Sequence, residues 1–169
     1  EVLFSMMIRF KSIGNARKLN DLINQLMDFR KIESGNVKLK IFKYEFIGFI
    51  NEILNDFKDI CSQKKIHLEF SSSKDIIDAW FDVEKIDKII RNLLFNAVKY
   101  TRENGKIEVL CYTSNEFSAE TESENEHLVI KVKDNGPGIP ADQLDRIFDR
   151  FYQVERVTGN HNPKGTGIG

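Results

Sequence analysis

The amino-acid sequence predicts an α+β fold, a two-layer α/β sandwich in which a mixed, largely antiparallel sheet carries its helices on one face. Two observations predict it. Two kinds of hydrophobic pattern follow one another along the chain. In one, apolar residues recur every three or four positions, as is typical of amphipathic helices; in the other, apolar and polar residues alternate, as is typical of half-buried strands. A length of 169 residues with 41% hydrophobic content suffices for one core of ordinary size and a small appendage.

The first clear pattern lies in residues 16–36 and predicts an amphipathic helix. Its apolar stripe consists of Leu19, Leu22, Ile23, Leu26, Met27 and Phe29. Gly35 follows at a position typical of the residue just past a helix C-terminus. Because this helix precedes every other element, we expect an arm that pairs with another helix; a helix of the core is the alternative.

The remaining elements follow in order along the chain. The alternating patterns predict strands over residues 37–46, 65–71, 75–82, 105–114 and 127–135. The helical patterns cover residues 46–63 and 83–101, followed by a short helix from about Ala141 and an aromatic-rich helix over residues 147–153. We interpret the acidic residues 116–126 as a solvated hairpin tip, and residues 153–169, rich in Gly, Asn and Pro, as a mobile segment.

Composition and charge narrow the classes of function. A net charge of −1 and a pI of about 6.4 give no electrostatic reason to expect a nucleic-acid partner. Cys61 and Cys111 lie far apart among apolar neighbours, which favours small buried hydrophobic residues in a reducing compartment over a disulfide or a metal site. No apolar run approaches the roughly 20 residues needed to span a bilayer.

The predicted helix over residues 83–101 carries the first chemical signal. Asn92, Asn96 and Lys99 are spaced four and three residues apart, so they project from one face. The opposite face holds the apolar residues Ile86, Ile90, Leu93 and Ala97. An amide oxygen suits Mg²⁺, and a neighbouring lysine can neutralise phosphate, so this face fits a metal-nucleotide. The alternative is the solvated side of an ordinary amphipathic helix.

Two glycine-rich segments follow. At residues 134–138 a carboxylate and an amide precede Gly-Pro-Gly, which forms either a plain turn or a close backbone approach to a ligand. The chain then ends with glycines at alternate positions, Gly165, Gly167 and Gly169. Such spacing lets successive backbone N–H groups approach a polyphosphate.

Taken in order, these features resemble the N box, first glycine box, F box and second glycine box of sensor histidine kinases. Their ATP-binding fold, of the Bergerat type, is shared with gyrase, Hsp90 and MutL. The resemblance covers residues 36–169, and a narrower one is to hybrid sensor kinases of gut Bacteroidetes. It implies that residues 1–35 are the second helix of the dimerisation and phosphoacceptor hairpin, without the phosphoacceptor helix. Residues 36–169 would be the ATP-binding catalytic domain, incomplete at its C-terminus.

The resemblance also implies roles in binding ATP and Mg²⁺. Asp134 would accept a hydrogen bond from the exocyclic amine of adenine; guanine presents an oxygen there, so ATP is favoured over GTP. Asn96 would be the Mg²⁺ ligand, with Asn92 near the metal or the phosphates. The other residues implied in nucleotide binding, including an ATP lid over residues 152–164 and its base, are Lys99, Tyr100, Gly136, Gly138, Ile139, Phe148, Arg150, Phe151, Lys164, Gly165, Thr166, Gly167 and Gly169.

Within this superfamily, Asn92 favours phosphotransfer over hydrolysis. Hydrolysing relatives usually carry a glutamate four residues before the metal asparagine, and an amide cannot act as a general base at neutral pH. The His-Glu motif of a phosphoacceptor helix is missing from the sequence. We expect His67 and His127 in strands, and His161 in the lid, to be structural or solvent-facing. The chain alone is therefore expected not to phosphorylate itself.

We thus expect the ATP-binding catalytic region of a sensor histidine kinase, a transferase of two-component signal transduction. It would pass the γ-phosphoryl group of Mg-ATP to a histidine on a separate helix, for onward transfer to a response-regulator aspartate. The expected partners are a second copy through the N-terminal helix and a receiver domain, and the expected location is the cytoplasmic portion of an inner-membrane sensor. The alternatives are a non-catalytic nucleotide-binding or dimerisation module, and a hydrolysing ATPase of the same superfamily.

Overall fold

The computed structural model describes residues 38–118, 123–149 and Tyr152. The predicted N-terminal helix and the second glycine segment lie outside these residues. The chain divides into two units: Leu39–Gly138 form one, and the described part of the other consists of Lys38, residues 139–149 and Tyr152.

The larger unit contains seven elements. They are β1 (Phe42–Glu45), α1 (Phe46–Gln63), β2 (His67–Ser72), β3 (Asp78–Phe81), α2 (Val83–Tyr100), β4 (Lys106–Ser118) and β5 (Ser123–Asp134). The described residues of the smaller unit contain a 3₁₀ helix, Ala141–Arg146. Both long helices begin where the sequence predicts, because an acidic side chain caps each N-terminus: Glu45 for α1 and Asp82 for α2.

The strands form two separate ladders. The first is the antiparallel pair β1–β3, in which Phe42 lies opposite Phe81. The second has the order β2–β4–β5, with β2 parallel to β4 and β4 antiparallel to β5. The predicted mixed α/β architecture is confirmed, whereas the single sheet is replaced by these two ladders within the part of the chain that the structure describes.

The hydrophobic core lies between the two helices and the β2–β4–β5 sheet. The side chains with 0–1% exposure include Ile50, Ile53 and Phe57 of α1, Ile90 and Leu94 of α2, and Ile107 and Val109 of β4. Cys61 and Cys111 join this core as free, buried thiols, as predicted, and burial raises the pKa of both. Packing of α2 on this core therefore holds the helix that carries the candidate ligand amides.

Three local predictions differ from the structure. Strand β1 covers only Phe42–Glu45, the residues that pair with β3. Residues 38–41 continue the period-two pattern but pair with no described strand, and a pattern alone does not show where pairing begins. The acidic segment 116–126 is mostly not a loop tip, since β4 and β5 continue their ladder to the pair Ser118–Ser123. Of the predicted helix over residues 147–153, residues 147–149 form a turn and a bend, and residues 150, 151 and 153 lie outside the described residues.

The buried face of α2 is also shifted from the prediction. Leu94 is fully buried, whereas Leu93 is 45% exposed. Two adjacent leucines fit a helical period equally well, and only packing on the core, through contacts with α1 and β5, decides between them. Ile86, Ile90 and Ala97 lie on the core side as predicted.

The hydroxyl of Thr101 gives a stability prediction. Thr101 is 7% exposed, and its Oγ1 has no hydrogen-bond partner among the described residues. A buried hydroxyl without a partner costs about 1–3 kcal/mol, so Thr101→Val, which keeps the shape, should raise the free energy of unfolding by about 1 kcal/mol in urea titrations. Thr101→Ser keeps the hydroxyl and should lower it. A destabilised valine variant would show that the hydroxyl has a partner.

The cap of α1 predicts a pH dependence. Desolvation acts to raise the pKa of Glu45, but hydrogen bonds from the backbone N–H groups of Gly48, Ile47 and Ile77 outweigh it and lower that pKa. A carboxylate with a lowered folded-state pKa stabilises the fold at neutral pH, and that contribution is lost as the pH falls through the folded pKa. Glu45→Gln should therefore lower the thermal midpoint at pH 7, with a difference from the unaltered chain that shrinks toward pH 3. The exposed Glu52→Gln in the same helix is the control, and a difference independent of pH would contradict the role of the charge.

Candidate functional site

Helix α2 presents two amides that no other part of the described structure uses. Asn96 is exposed and Asn92 is half-buried, and neither side chain has a hydrogen bond within residues 38–118, 123–149 and 152. The helix is held from behind by its buried residues Ile90, Leu94, Ala97 and Val98. Because the apolar face is fixed in the core, the amides project on the other side with their oxygen atoms available to a ligand.

Lys99 and Tyr100 form a local pair at the end of α2. The ammonium Nζ of Lys99 lies 3.0 Å from the hydroxyl oxygen of Tyr100 and 4.6 Å from the centre of its ring. The ring stabilises the ammonium through a cation–π contact. Both side chains are half-buried, so the positive charge is held close to the C-terminal end of the helix that carries the amides.

The first glycine segment begins where β5 ends. Asp134 is the last residue of the strand and is exposed, and its Oδ1 accepts a hydrogen bond from the backbone N–H of Gly136 at 2.8 Å. Its other oxygen, Oδ2, has no hydrogen bond to any described residue. One oxygen thus fixes the orientation of the carboxylate, and the second remains free to accept a hydrogen bond.

Gly136 brings the segment against the end of α2. A Cβ atom at this position would lie 2.9 Å from the carbonyl oxygen of Tyr100, a backbone atom that cannot move aside cheaply. Gly138 has a φ of +69°, which favours glycine. The structure therefore places Asp134, Gly136 and the end of the helix that carries Asn96 next to one another within a single unit.

Sequence reasoning missed one residue of this segment. The side-chain Oδ1 of Asn135 accepts a hydrogen bond from the backbone N–H of Lys106 at 2.8 Å, and the backbone N–H of Asn135 donates to the Lys106 carbonyl at 3.2 Å. The sequence Asp-Asn-Gly signals a turn, but it does not reveal that the amide reaches the start of β4.

The other predicted site residues fall into two groups. Ile139 and Phe148 belong to the smaller unit, where they are 44% and 89% exposed. In that unit the hydroxyl of Tyr152 donates to Gln143 Oε1 at 2.9 Å. The residues that lie outside the described part of the chain are Arg150, Phe151, Lys164, Gly165, Thr166, Gly167 and Gly169.

Both histidines in the described part of the chain lie on strands. His67 in β2 is exposed and pairs with Glu69 at 2.8 Å, and His127 in β5 is exposed, whereas His161 lies outside the described residues. In the part of the chain that the structure describes, no group of three or more His, Cys, Asp or Glu residues could hold a metal ion. The described helices include none that is both long and apolar enough to cross a membrane.

Comparisons with known proteins match this arrangement to a family. Residues 81–169 match the family described as histidine kinase-, DNA gyrase B- and HSP90-like ATPase. This range contains α2 and both glycine-rich segments, so the match covers the described candidate site and the second glycine segment beyond it.

Two curated relatives and one solved structure illustrate the similarity. Histidine kinase P4 of Formosa agariphila is 32% identical over 92% of this chain and 11% of its own length. Sensor histidine kinase TmoS of Ectopseudomonas mendocina is 34% identical over 92% of this chain and 15% of its own length. The structure of Acinetobacter baumannii histidine kinase AdeS, 24% identical, covers 81% of this chain and 64% of that chain with a TM-score of 0.63.

The chain spans less than a fifth of the length of these two curated relatives. The similarity to AdeS, at 24% identity, supports the fold alone. The sequence similarity to the two curated relatives supports common ancestry with them. From the family match over more than half of its residues, the chain belongs to the histidine kinase-, DNA gyrase B- and HSP90-like ATPases, and the two curated relatives named above are histidine kinases.

Proposed function

We propose that this chain is the ATP-binding catalytic region of a sensor histidine kinase, which transfers the γ-phosphoryl group of Mg-ATP to a histidine on a separate helix. The observation that carries the proposal is the carboxylate of Asp134. It ends β5 and is oriented by the Gly136 N–H, its second oxygen has no hydrogen bond to a described residue, and the loop that follows packs on the end of α2. Family membership makes a nucleotide the ligand to expect there.

The free oxygen of Asp134 accounts for a preference for adenine. A carboxylate accepts hydrogen bonds and donates none, so it pairs with the exocyclic amine of adenine and is repelled by the oxygen that guanine carries there. A hydrogen bond to a charged group contributes about 1.5–3 kcal/mol, equivalent to roughly tenfold or more in affinity. Gly136 and Gly138, which lack side chains, let the base approach the backbone.

The amides of α2 suit the metal and phosphate end of the nucleotide. Mg²⁺ binds through few protein groups and keeps waters and phosphate oxygens as its other ligands. The described residues offer no ready-made metal cluster, but Asn96 offers one amide oxygen that no other described residue engages, which fits an ion that arrives with ATP. Asn92 would bind near the same ion, and Lys99 would neutralise phosphate. The bound Mg²⁺ would offset the charge that develops on the phosphates during transfer.

Several observations favour transfer over hydrolysis. An amide at position 92 cannot take a proton from water, so this site lacks a base of the kind that hydrolysis needs there. The curated relatives named above are histidine kinases. We place the acceptor histidine on a helix outside the catalytic domain, since His67 and His127 lie on strands.

The partners follow from the same assignment. Histidine kinase ThkA, whose likeness to this chain at 21% identity supports the fold, was solved in complex with the response regulator TrrA. We propose a response-regulator receiver domain as the phosphoryl acceptor downstream of this kinase. Dimerisation through the predicted helix of residues 16–36, and anchorage of the whole protein at a membrane, remain predictions.

The adenine assignment predicts the effect of one isosteric change. Asp134→Asn removes the charge and should weaken ATP binding about tenfold or more, because the hydrogen bond to the adenine amine becomes neutral. The affinity for GTP should change less. Titration calorimetry with both nucleotides measures the two affinities, and Asp75→Asn, at an exposed position between β2 and β3, is the matched control. Equal ATP affinity in Asp134→Asn and the unaltered protein would remove Asp134 from the base-binding role.

The metal assignment predicts a loss of Mg²⁺ dependence. Asn96→Ala removes the proposed ligand, so Mg²⁺ should no longer strengthen ATP binding, and transfer to the phosphoacceptor helix should fall by about 100-fold. Transfer is measured with γ-labelled ATP and a separately prepared phosphoacceptor hairpin, over a range of Mg²⁺ concentrations. The exposed Asn51→Ala on α1 deletes the same group elsewhere and should leave transfer unchanged. Undiminished transfer by Asn96→Ala at every Mg²⁺ concentration would contradict the assignment.

A further inference from the structure

The final rung of the β4–β5 ladder is completed by a side chain. Ile107 lies opposite Asp134, so Lys106 and Asn135 form the next pair. In a hydrogen-bonded antiparallel pair, each backbone normally gives one N–H and one C=O to the other. Here the N–H of Asn135 donates to the Lys106 carbonyl at 3.2 Å, but the N–H of Lys106 donates to the side-chain Oδ1 of Asn135 at 2.8 Å. The amide of Asn135 thus replaces its own backbone carbonyl.

This replacement allows the backbone to leave the sheet. A regular rung would hold the carbonyl of Asn135 toward β4 and continue the strand. Instead the chain turns at once, and the next N–H, that of Gly136, donates to Asp134 Oδ1 at 2.8 Å. The Lys106 N–H keeps an acceptor throughout, as backbone groups that leave a ladder require. Asn135 therefore ends β5 and starts the loop of the first glycine segment, residues 134–138, here called the glycine loop. The Lys106 N–H is not left unpaired.

The connection from α2 to β4 packs closely against the same Asn135 amide. A Cβ atom at Gly105 would lie 2.8 Å from Asn135 Oδ1 and would overlap the Cγ2 methyl of Thr101. Gly105 is in turn fixed by its carbonyl, which accepts a hydrogen bond from the N–H of His67 at 2.8 Å. The connection from α2 to β4 and the glycine loop therefore meet at the Asn135 side chain.

We propose that Asn135 is the positioning residue of the nucleotide site: its amide fixes where the glycine loop leaves β5, and so holds the Asp134 carboxylate at the end of α2. The proposal rests on the proposed function for the identity of the ligand. It adds a residue that touches no nucleotide in this assignment and acts through Asp134. The feature of Asn135 that the proposal requires is the acceptor oxygen Oδ1, three bonds from Cα, which Asp supplies equally and Ala does not.

The first test follows the hydrogen bonds themselves, in the absence of nucleotide. Amide hydrogen exchange, resolved by NMR, is compared in the unaltered chain, Asn135→Ala and Asn135→Asp. We expect exchange at the Lys106 and Gly136 amides to be about tenfold faster in Asn135→Ala and about the same in Asn135→Asp, which keeps the acceptor. Asn115→Ala, at an exposed position in β4, the strand that begins at Lys106, is the matched control. It should change the exchange of neither amide.

Two results would overturn the proposal. One is unchanged exchange at Lys106 and Gly136 in Asn135→Ala; the other is acceleration spread evenly over all the amides of the core, which would indicate a general loss of stability. If Asn135→Ala does not fold, Asn135→Ser serves instead, because its shorter side chain removes the Oδ1 acceptor of the Lys106 N–H. The same local acceleration is expected there, and its absence counts equally against the proposal.

The second test is nucleotide choice. With Asp134 less firmly held, the ratio of ATP to GTP affinity should fall about tenfold in Asn135→Ala and be restored in Asn135→Asp, whereas a general loss of stability would lower both affinities together. An unchanged ratio beside faster exchange would refute the positioning role. If the unaltered protein binds neither nucleotide, the proposed function fails, and the exchange experiment still decides whether Asn135 fixes the loop.

Discussion

The candidate site depends on one packing constraint, the burial of the apolar face of α2 against α1 and the β2–β4–β5 sheet, where it contacts β5. Leu94 is 0% exposed and Ile90 is 1% exposed, so the helix cannot rotate about its axis without exposing both. That fixed rotation keeps Asn96 on the exposed side of the helix. Because the glycine loop packs on the carbonyl of Tyr100 at the end of the same helix, the position of Asp134 depends on this burial as well.

A second constraint is the supply of acceptors for backbone N–H groups where regular structure ends. Side-chain oxygens provide them at three places: Glu45 at the start of α1, Asp82 at the start of α2 and Asn135 at the end of β5. Hydrogen bonds from the backbone N–H groups of Lys40 and Lys85 lower the pKa of Asp82. Glu45 and Asp82 mark the first turns of helices, whereas Asn135 marks the end of a strand and the start of a loop. In each case a local polar side chain determines the boundary of the element.

The sequence was sufficient to predict the features set by local chemistry. The bounds of α1 and α2 follow from their caps and periodicity, and the buried thiols of Cys61 and Cys111 follow from their apolar neighbours. Features set by distant contacts were not predictable: the choice between Leu93 and Leu94 for the core, and the separate pairing of β1 with β3. The reach of the Asn135 amide to Lys106 joins residues 29 positions apart and leaves no local pattern. Asn92, Asn96 and Asp134 remain predicted site residues: the two asparagines stood out because Asn is a poor helix former, and the role of Asp134 came from the family resemblance.

Under the proposed function, the chemistry of α2 also gives a reason for Mg²⁺ to bind together with its nucleotide. Two neutral amides and one ammonium add no negative charge to the helix face, so an isolated Mg²⁺ ion would find too little there to replace its hydration shell. Phosphate oxygens supply the missing charge, and Lys99, held beside Tyr100, opposes any preference for a free cation. A carboxylate in place of Asn96 would bind the free ion better, but it would repel the phosphates that the ion must bridge. In the proposed function, the neutral amide would therefore couple metal binding to nucleotide binding, which would suit a site that exchanges ADP for ATP in each cycle.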